Sequence, residues 1–217
     1  MIIELPSNPT FYRCGGQVIV DDGILKIWHL VSWREFIYKL TISTKGKNCW
    51  YCGKSLKKEE ITMDHLYPQD LGGPTIPNNL APACAYCNSQ KGNLTEYQYR
   101  QILRASKKDR NNIRRKMLAS NERRKSDIGY FLPKKWITTK RIDRILVTFF
   151  MQEDYKGKKY KKVEEFYKTF GKLPYPIILD RNNYLLDGFI LLMFAKNKGI
   201  ATVPAIVLEN VEVVFNK

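Results

Sequence analysis

The chain reads as an α+β protein of two domains. Strand-like apolar runs and amphipathic helical patterns both occur along it. Two Cys-x-x-Cys pairs bracket a Gly-, Pro- and Asn-rich stretch that apolar packing alone would not order. Past about residue 127 the sequence changes character, from a basic helical stretch to a series of strand, helix, hairpin, helix and strand signals. The expected domains are 1–127 and 128–217.

Residues 1–45 form a short mixed segment. Val18–Val20 and Ile24–Ile27 are strand-like and flank the turn Asp21-Asp22-Gly23. Ser32 and Glu35 have capping-box spacing ahead of Phe36, Ile37 and Leu40, so a helix is expected from Trp33. Residues 46–93 look largely irregular. Residues 94–125 are expected to be mostly helical, with Thr95 and Gln98 as a second capping box. Arg141–Phe150 is expected as a strand. Val163, Phe166, Tyr167 and Phe170 mark one face of a helix closed by Gly171. Tyr175–Leu179 and Tyr184–Leu186 read as a hairpin around the turn from Asp180 to Asn183. Phe189–Lys198 reads as a helix closed by Gly199, and Val203–Leu208 as a last strand.

The chain carries 37 Lys and Arg against 21 Asp and Glu, a net charge of +16. Such an excess argues against a neutral metabolic enzyme and towards a polyanionic partner, either nucleic acid or an anionic membrane surface. A hydrophobic fraction of 44% argues against wholesale disorder. No stretch reaches the roughly 20 apolar residues that a membrane span needs. The start, Met1 to Glu4 with Pro6 soon after, has neither a basic nor an apolar leader region, so no secretory signal is expected. These features predict a cytoplasmic protein whose cysteines are not disulfides.

Cys49 and Cys52 are separated from Cys84 and Cys87 by 31 residues. Two such pairs can place four thiolates around one tetrahedral Zn²⁺, which would be a closed, structural site. Cys14 is left as a plain thiol. His29 has no Cys, Asp or Glu at ligand spacing and is expected to be structural.

The positive charge is concentrated. Between Lys91 and Lys125 lie 12 Lys or Arg and three acids, leaving +9. Arg100, Arg104, Lys107 and Lys108 have spacings that can share a helix face, and Arg114, Arg115, Arg123 and Arg124 continue the run. With so few acids for mutual pairing, these residues are expected to contact phosphates.

Between the cysteine pairs come Asp64-His65, Pro68, Gly72-Gly73 and Asn79-Leu80; after the second pair come Asn88 and Lys91. Over about residues 47–95 this pattern resembles the HNH endonuclease family with its ββα-metal fold, in a four-Cys zinc variant. The resemblance implies hydrolysis of DNA phosphodiester bonds. It implies His65 as general base, Asp64 and Asn88 as ligands of one divalent metal, and Asn79 as the residue that orients His65 and braces the loop. Lys91 would contact phosphate. The chemistry suits these types, since neutral His takes a water proton near pH 7 and oxygen ligands suit Mg²⁺ or Mn²⁺. The last motif position holds Asn rather than His, which tilts the site towards Mg²⁺. In an ideal strand Asp64 and His65 point to opposite faces, so the strand must twist or end there.

Further on, Pro176–Asp180, Tyr184–Gly188, Ala195-Lys196, Gly199 and Val203–Val207 resemble the ParB/sulfiredoxin-like superfamily. There the Asp-Gly turn opens a helix that binds a nucleotide phosphate, with help from Arg. Here Phe189–Leu192 follow Gly188, and no cation appears until Lys196. A scaffold, DNA-contact or dimerisation role is therefore expected over nucleotide hydrolysis.

The expected function is a metal-dependent endonuclease acting on double-stranded DNA, bacterial or phage-encoded, with structural Zn²⁺ and catalytic Mg²⁺ or Mn²⁺. One HNH site cuts one strand, so a homodimer is compatible with it. The alternative is a non-catalytic, zinc-containing DNA-binding or partition-like protein.

Overall fold

The structure, a computed structural model, describes residues 1, 12–13, 17–28, 32–124, 134–148 and 157–215. Cys14, His29 and Lys125 lie outside the described residues, as do the last two positions of the strand expected at 141–150.

The chain forms two compact units. One spans Ile37–Ile128; the other joins Met1–Phe36 to Gly129–Lys217. Residues 1–36 group with the C-terminal part and not with the cysteine-rich segment. Strand pairing is the reason. β2 (Gln17–Asp21) and β3 (Ile24–Trp28) form a hairpin, which β1 (Tyr12–Arg13) extends. Asp22 and Gly23 take positive φ at its turn, as a tight two-residue hairpin requires. β3 then pairs in parallel with the last strand, Val211–Val214, with Val211 opposite Leu25 and Val214 opposite Trp28. Leu25, Ile27, Val211 and Val213 are buried by that pairing.

The rest of this unit is an α+β layer. β6 (Thr138–Arg141), β7 (Ile177–Asp180), β8 (Leu185–Asp187) and β9 (Thr202–Leu208) form a sheet in the order β6-β9-β7-β8, with β10 as the Val211–Val214 strand already described. The expected strand from Arg141 is displaced: it runs Thr138–Arg141, and Ile142–Arg144 make a 3-10 turn. α5 (Lys158–Phe170) ends at Gly171, whose φ of 66° is left-handed. α6 (Phe189–Asn197) is apolar nearly all round and buried, as its sequence requires. Phe194 sits between the edges of Tyr160 and Tyr167, with centroids 5.4 Å away in each case.

Asp180 is fully buried at the end of β7. One carboxylate oxygen accepts the Asn182 and Tyr184 N–H groups and the other accepts the Val213 N–H. Burial pushes this carboxyl upward, and the three backbone donors oppose that shift. The residue therefore fixes the 180–184 turn and the final strand together.

The second unit begins within α1 (Trp33–Lys45). It contains the hairpin of β4 (Ile61–His65) and β5 (Leu80–Cys84), α2 (Ala85–Lys91), α3 (Glu96–Arg104) and α4 (Arg110–Arg123). The segment expected to be irregular thus holds two strands and a helix. Thr95 and Gln98 form the expected reciprocal capping box on α3. The expected helical run breaks at Ala105–Asp109, where Arg110 donates to the Ala105 and Leu103 carbonyls and so closes α3. Leu56, Ala83, Leu94, Tyr99 and Ile102 pack with Cys49 and Cys87 in a small core.

Candidate metal centre and active site

Cys49, Cys52, Cys84 and Cys87 bring their sulfurs within 4.8 Å of one another. A tetrahedron with Zn–S bonds of about 2.3 Å sets sulfurs roughly 3.8 Å apart, so the four residues fit one Zn²⁺. The first knuckle is a tight turn closed by Cys49 N–H to Lys54 O and Gly53 N–H to Cys49 O. The second is helical: Cys84 is the N-cap of α2, and its sulfur accepts the Cys87 N–H. Burial opposes ionisation of Cys49, but backbone donors at Cys52, Cys84 and Tyr51 outweigh it and bring the thiol down to about 6. The Trp50 N–H donates to Pro82 O, which ties the first knuckle to β5.

β4 and β5 pair antiparallel, Ile61 opposite Cys84 and His65 opposite Leu80, and α2 follows without a loop. The connection between the strands is held by Asn79. Its side-chain oxygen accepts the Tyr67 N–H, and its amide donates to the carbonyls of Tyr67 and Pro74. The glycine pair has a steric cause. Gly72 takes φ 86°, and a Cβ on Gly73 would collide with the Tyr67 carbonyl.

Asp64 is turned inward and is 4% exposed. Its Oδ2 accepts the Tyr51 hydroxyl at 2.5 Å, and its Oδ1 accepts the Lys91 ammonium at 2.9 Å. Lys91 is 1% exposed and also donates to the His65 carbonyl at 2.7 Å. Burial pushes Asp64 upward and Lys91 downward, and each is opposed by the other's charge. The expectation that Lys91 meets phosphate is corrected here. At one helical turn from Asn88 it lies against β4, and its ammonium is spent on two internal acceptors.

Thr62 lies two residues before Asp64, so the two share a strand face. Asn88 Nδ2 donates to Thr62 Oγ1 at 3.0 Å, which sets Asn88 beside that face. Among the described residues no hydrogen bond reaches Asn88 Oδ1. His65, the last residue of β4, has Nε2 3.2 Å from Thr75 Oγ1, and Gln69 donates to the same oxygen. The Asn79 side chain bonds to Tyr67 and Pro74, and among the described residues none of its hydrogen bonds reaches His65. Tyr51 and Thr75 are the supporting residues that sequence reasoning missed. Nothing local marks them, because each meets its partner only through the fold.

The basic residues divide into two groups. Arg100 is engaged: it donates to Glu96 and to the Trp50 carbonyl and lies over the Trp50 and Tyr51 rings. Arg114 donates to the Gln90 carbonyl near the end of α2. Arg104, Lys107, Lys108, Arg115, Arg123 and Arg124 are exposed.

Residues 49–94 match the HNH endonuclease family. The HNH segment thus coincides with the zinc knuckles, the β4–β5 hairpin and α2. No curated protein matches the chain. A solved structure described as a Pnob8-like ParB-N domain is 21% identical over 33% of this chain and 28% of its own, with a TM-score of 0.28. No helix among the described residues is long and apolar enough to cross a membrane.

Proposed function

We propose that the chain is a metal-dependent DNA endonuclease, with the HNH segment as its catalytic part. One observation carries the reading. Asn88, whose side-chain oxygen has no hydrogen bond among the described residues, stands beside the strand face that bears Asp64, and His65 follows at the strand end. Each Asp64 oxygen accepts one hydrogen bond and keeps a second lone pair. On this reading Asp64 and Asn88 supply oxygen ligands to one Mg²⁺ or Mn²⁺. When bound, such an ion supplies a Lewis acid for the phosphate and charge for the leaving oxygen.

The chain's own residues do the rest. His65 accepts the attacking water's proton at a ring nitrogen, while Thr75 holds the ring and Gln69 holds Thr75. Tyr51 and Lys91 hold Asp64. Asn79 fixes the loop that places Thr75. The exposed Arg104, Lys107, Lys108, Arg115, Arg123 and Arg124 hold a DNA duplex by its phosphates, in a cytoplasmic setting. In the other unit, the Asp187 carboxylate accepts the Gly188 N–H at the start of α6. An acid at that helix start disfavours a nucleotide phosphate, so this unit serves as scaffold, DNA contact or dimerisation surface.

The buried Asp64–Lys91 pair favours a second reading, a zinc-containing DNA-binding protein without cleavage. Plasmid cleavage in Mg²⁺ and Mn²⁺ separates the two. The wild type should cut, and zinc-loaded His65→Ala should fall by about 10²-fold or more. A wild type that binds the plasmid without cutting it establishes the second reading. Cleavage by His65→Ala at the wild-type rate removes His65 from the chemistry.

A further inference from the structure

We propose that Lys91 makes loading of a divalent metal at Asp64 conditional on the phosphate of the substrate. The inference rests on the reading of Asp64 and Asn88 as metal ligands.

Of that ligand pair only Asp64 can carry charge; Asn88 is neutral. Lys91 lies 2.9 Å from Asp64 Oδ1, with side chains 1% and 5% exposed. Whichever of the two holds the shared proton, the pair sums to zero. The other Asp64 oxygen is bonded to the Tyr51 hydroxyl. Glu96, a second carboxylate acting on Asp64, is itself paired with Arg100 at 2.9 Å. Among the described residues, a divalent cation arriving at Asp64 thus meets oxygen atoms but a locally neutral pair.

Hard cations such as Mg²⁺ dehydrate reluctantly and are commonly held by one or two carboxylates together with substrate phosphates. A phosphodiester brings both the missing negative charge and further oxygen ligands. Lys91 cannot simply swing aside to expose Asp64. Its ammonium is also bonded to the His65 carbonyl, and it is almost wholly enclosed. The metal should therefore bind weakly alone and tightly with DNA. Linkage requires that it raise DNA affinity by the same factor. The pair would keep the free protein's site empty at ordinary metal concentrations, confining metal-assisted chemistry to the DNA complex.

The test follows Mn²⁺ binding by electron paramagnetic resonance in the zinc-loaded full chain. His65→Ala is present throughout to prevent cleavage. Binding is measured with and without a DNA duplex, after subtracting Mn²⁺ bound by the duplex alone. Asp64→Asn serves to identify the share held at this site. Mn²⁺ should bind at least tenfold more tightly with the duplex. In the absence of DNA, adding Lys91→Met should tighten Mn²⁺ binding at least tenfold. Equal affinity with and without duplex overturns the proposal, and needs no change at Lys91. An Mn²⁺ affinity unchanged by Lys91→Met in a folded protein overturns it too. If no arm shows Mn²⁺ sensitive to Asp64→Asn, the metal-site reading itself fails and takes the proposal with it.

Discussion

The Tyr51 hydroxyl donates to Asp64 Oδ2 at 2.5 Å and so joins a zinc knuckle to strand β4. Tyr51 sits between Cys49 and Cys52, and its ring meets the Tyr99 ring edge-on at 5.0 Å. The four-Cys cluster is thus linked through Tyr51 to the carboxylate of the candidate active site.

Tyr51→Phe removes that hydroxyl and keeps the ring. The protein should retain its zinc and lose about 2 kcal/mol of stability, the range for a hydrogen bond to a charged group. Cleavage should fall as Asp64 loses a support. Urea unfolding, zinc analysis and single-turnover cleavage check this. Unchanged stability would mean that the hydroxyl does not hold Asp64.

Asn79→Ala strips three hydrogen bonds from the 66–79 connection. Backbone groups of Tyr67 and Pro74 lose their partner, so a loss of about 3 kcal/mol is expected. Amide exchange should rise within the loop while β4 and β5 stay protected. An effect confined to activity, with normal exchange, would contradict the bracing role.

The two groups of basic residues should behave differently. Neutralising Lys107, Lys108, Arg115 and Arg123 should weaken DNA binding and flatten its salt dependence, by about 0.9 in log–log slope for each phosphate no longer neutralised. Stability should stay within about 0.5 kcal/mol. Arg100→Gln should instead lower stability and change the slope little, because Arg100 serves Glu96 and Trp50. Fluorescence anisotropy across a salt series, alongside urea unfolding, distinguishes them.

Glu96 gives a pH signature. Burial raises its carboxyl, but bonds from Arg100 and Trp50 outweigh burial and leave it below the usual 4.5. The folded form therefore binds the proton less readily than the unfolded chain. Its contribution is complete above the unfolded value and disappears as pH falls through the lowered folded value. Between pH 6 and pH 3, the wild type should lose more stability than Glu96→Gln. Parallel losses would dissociate Glu96 from this contact.

Asp180→Asn should destabilise the discontinuous unit by about 3 kcal/mol. An amide cannot accept the Val213 N–H while its oxygen serves Asn182 and Tyr184. Thermal unfolding measures the loss, and a change below about 0.5 kcal/mol would count against this role.

Local signals were legible in the sequence where the physics is local. The Asp22-Gly23 turn, the helix start at Trp33, the Thr95–Gln98 box and the Gly171 stop each depend on residues within a few positions. The four cysteines were legible because ligand chemistry restricts their spacing. Lys91 was misread, because charge and helical spacing do not tell a surface cation from one paired in the interior. Arg100 sits on a helix surface, as its spacing implies, yet only the folded chain brings Trp50 to it. The parallel pairing of β3 with Val211–Val214 joins the two ends of the chain and leaves no mark near either.

That pairing bears on synthesis. Emerging from a ribosome, the Ile37–Ile128 unit is complete while Val211–Val214 has yet to be made. The β2–β3 hairpin must wait, one edge open, for almost the whole translation time. Assembly of the four cysteines can therefore precede completion of the β1-β2-β3-β10 sheet, and a nascent chain halted before residue 211 would carry one finished unit and one unfinished unit.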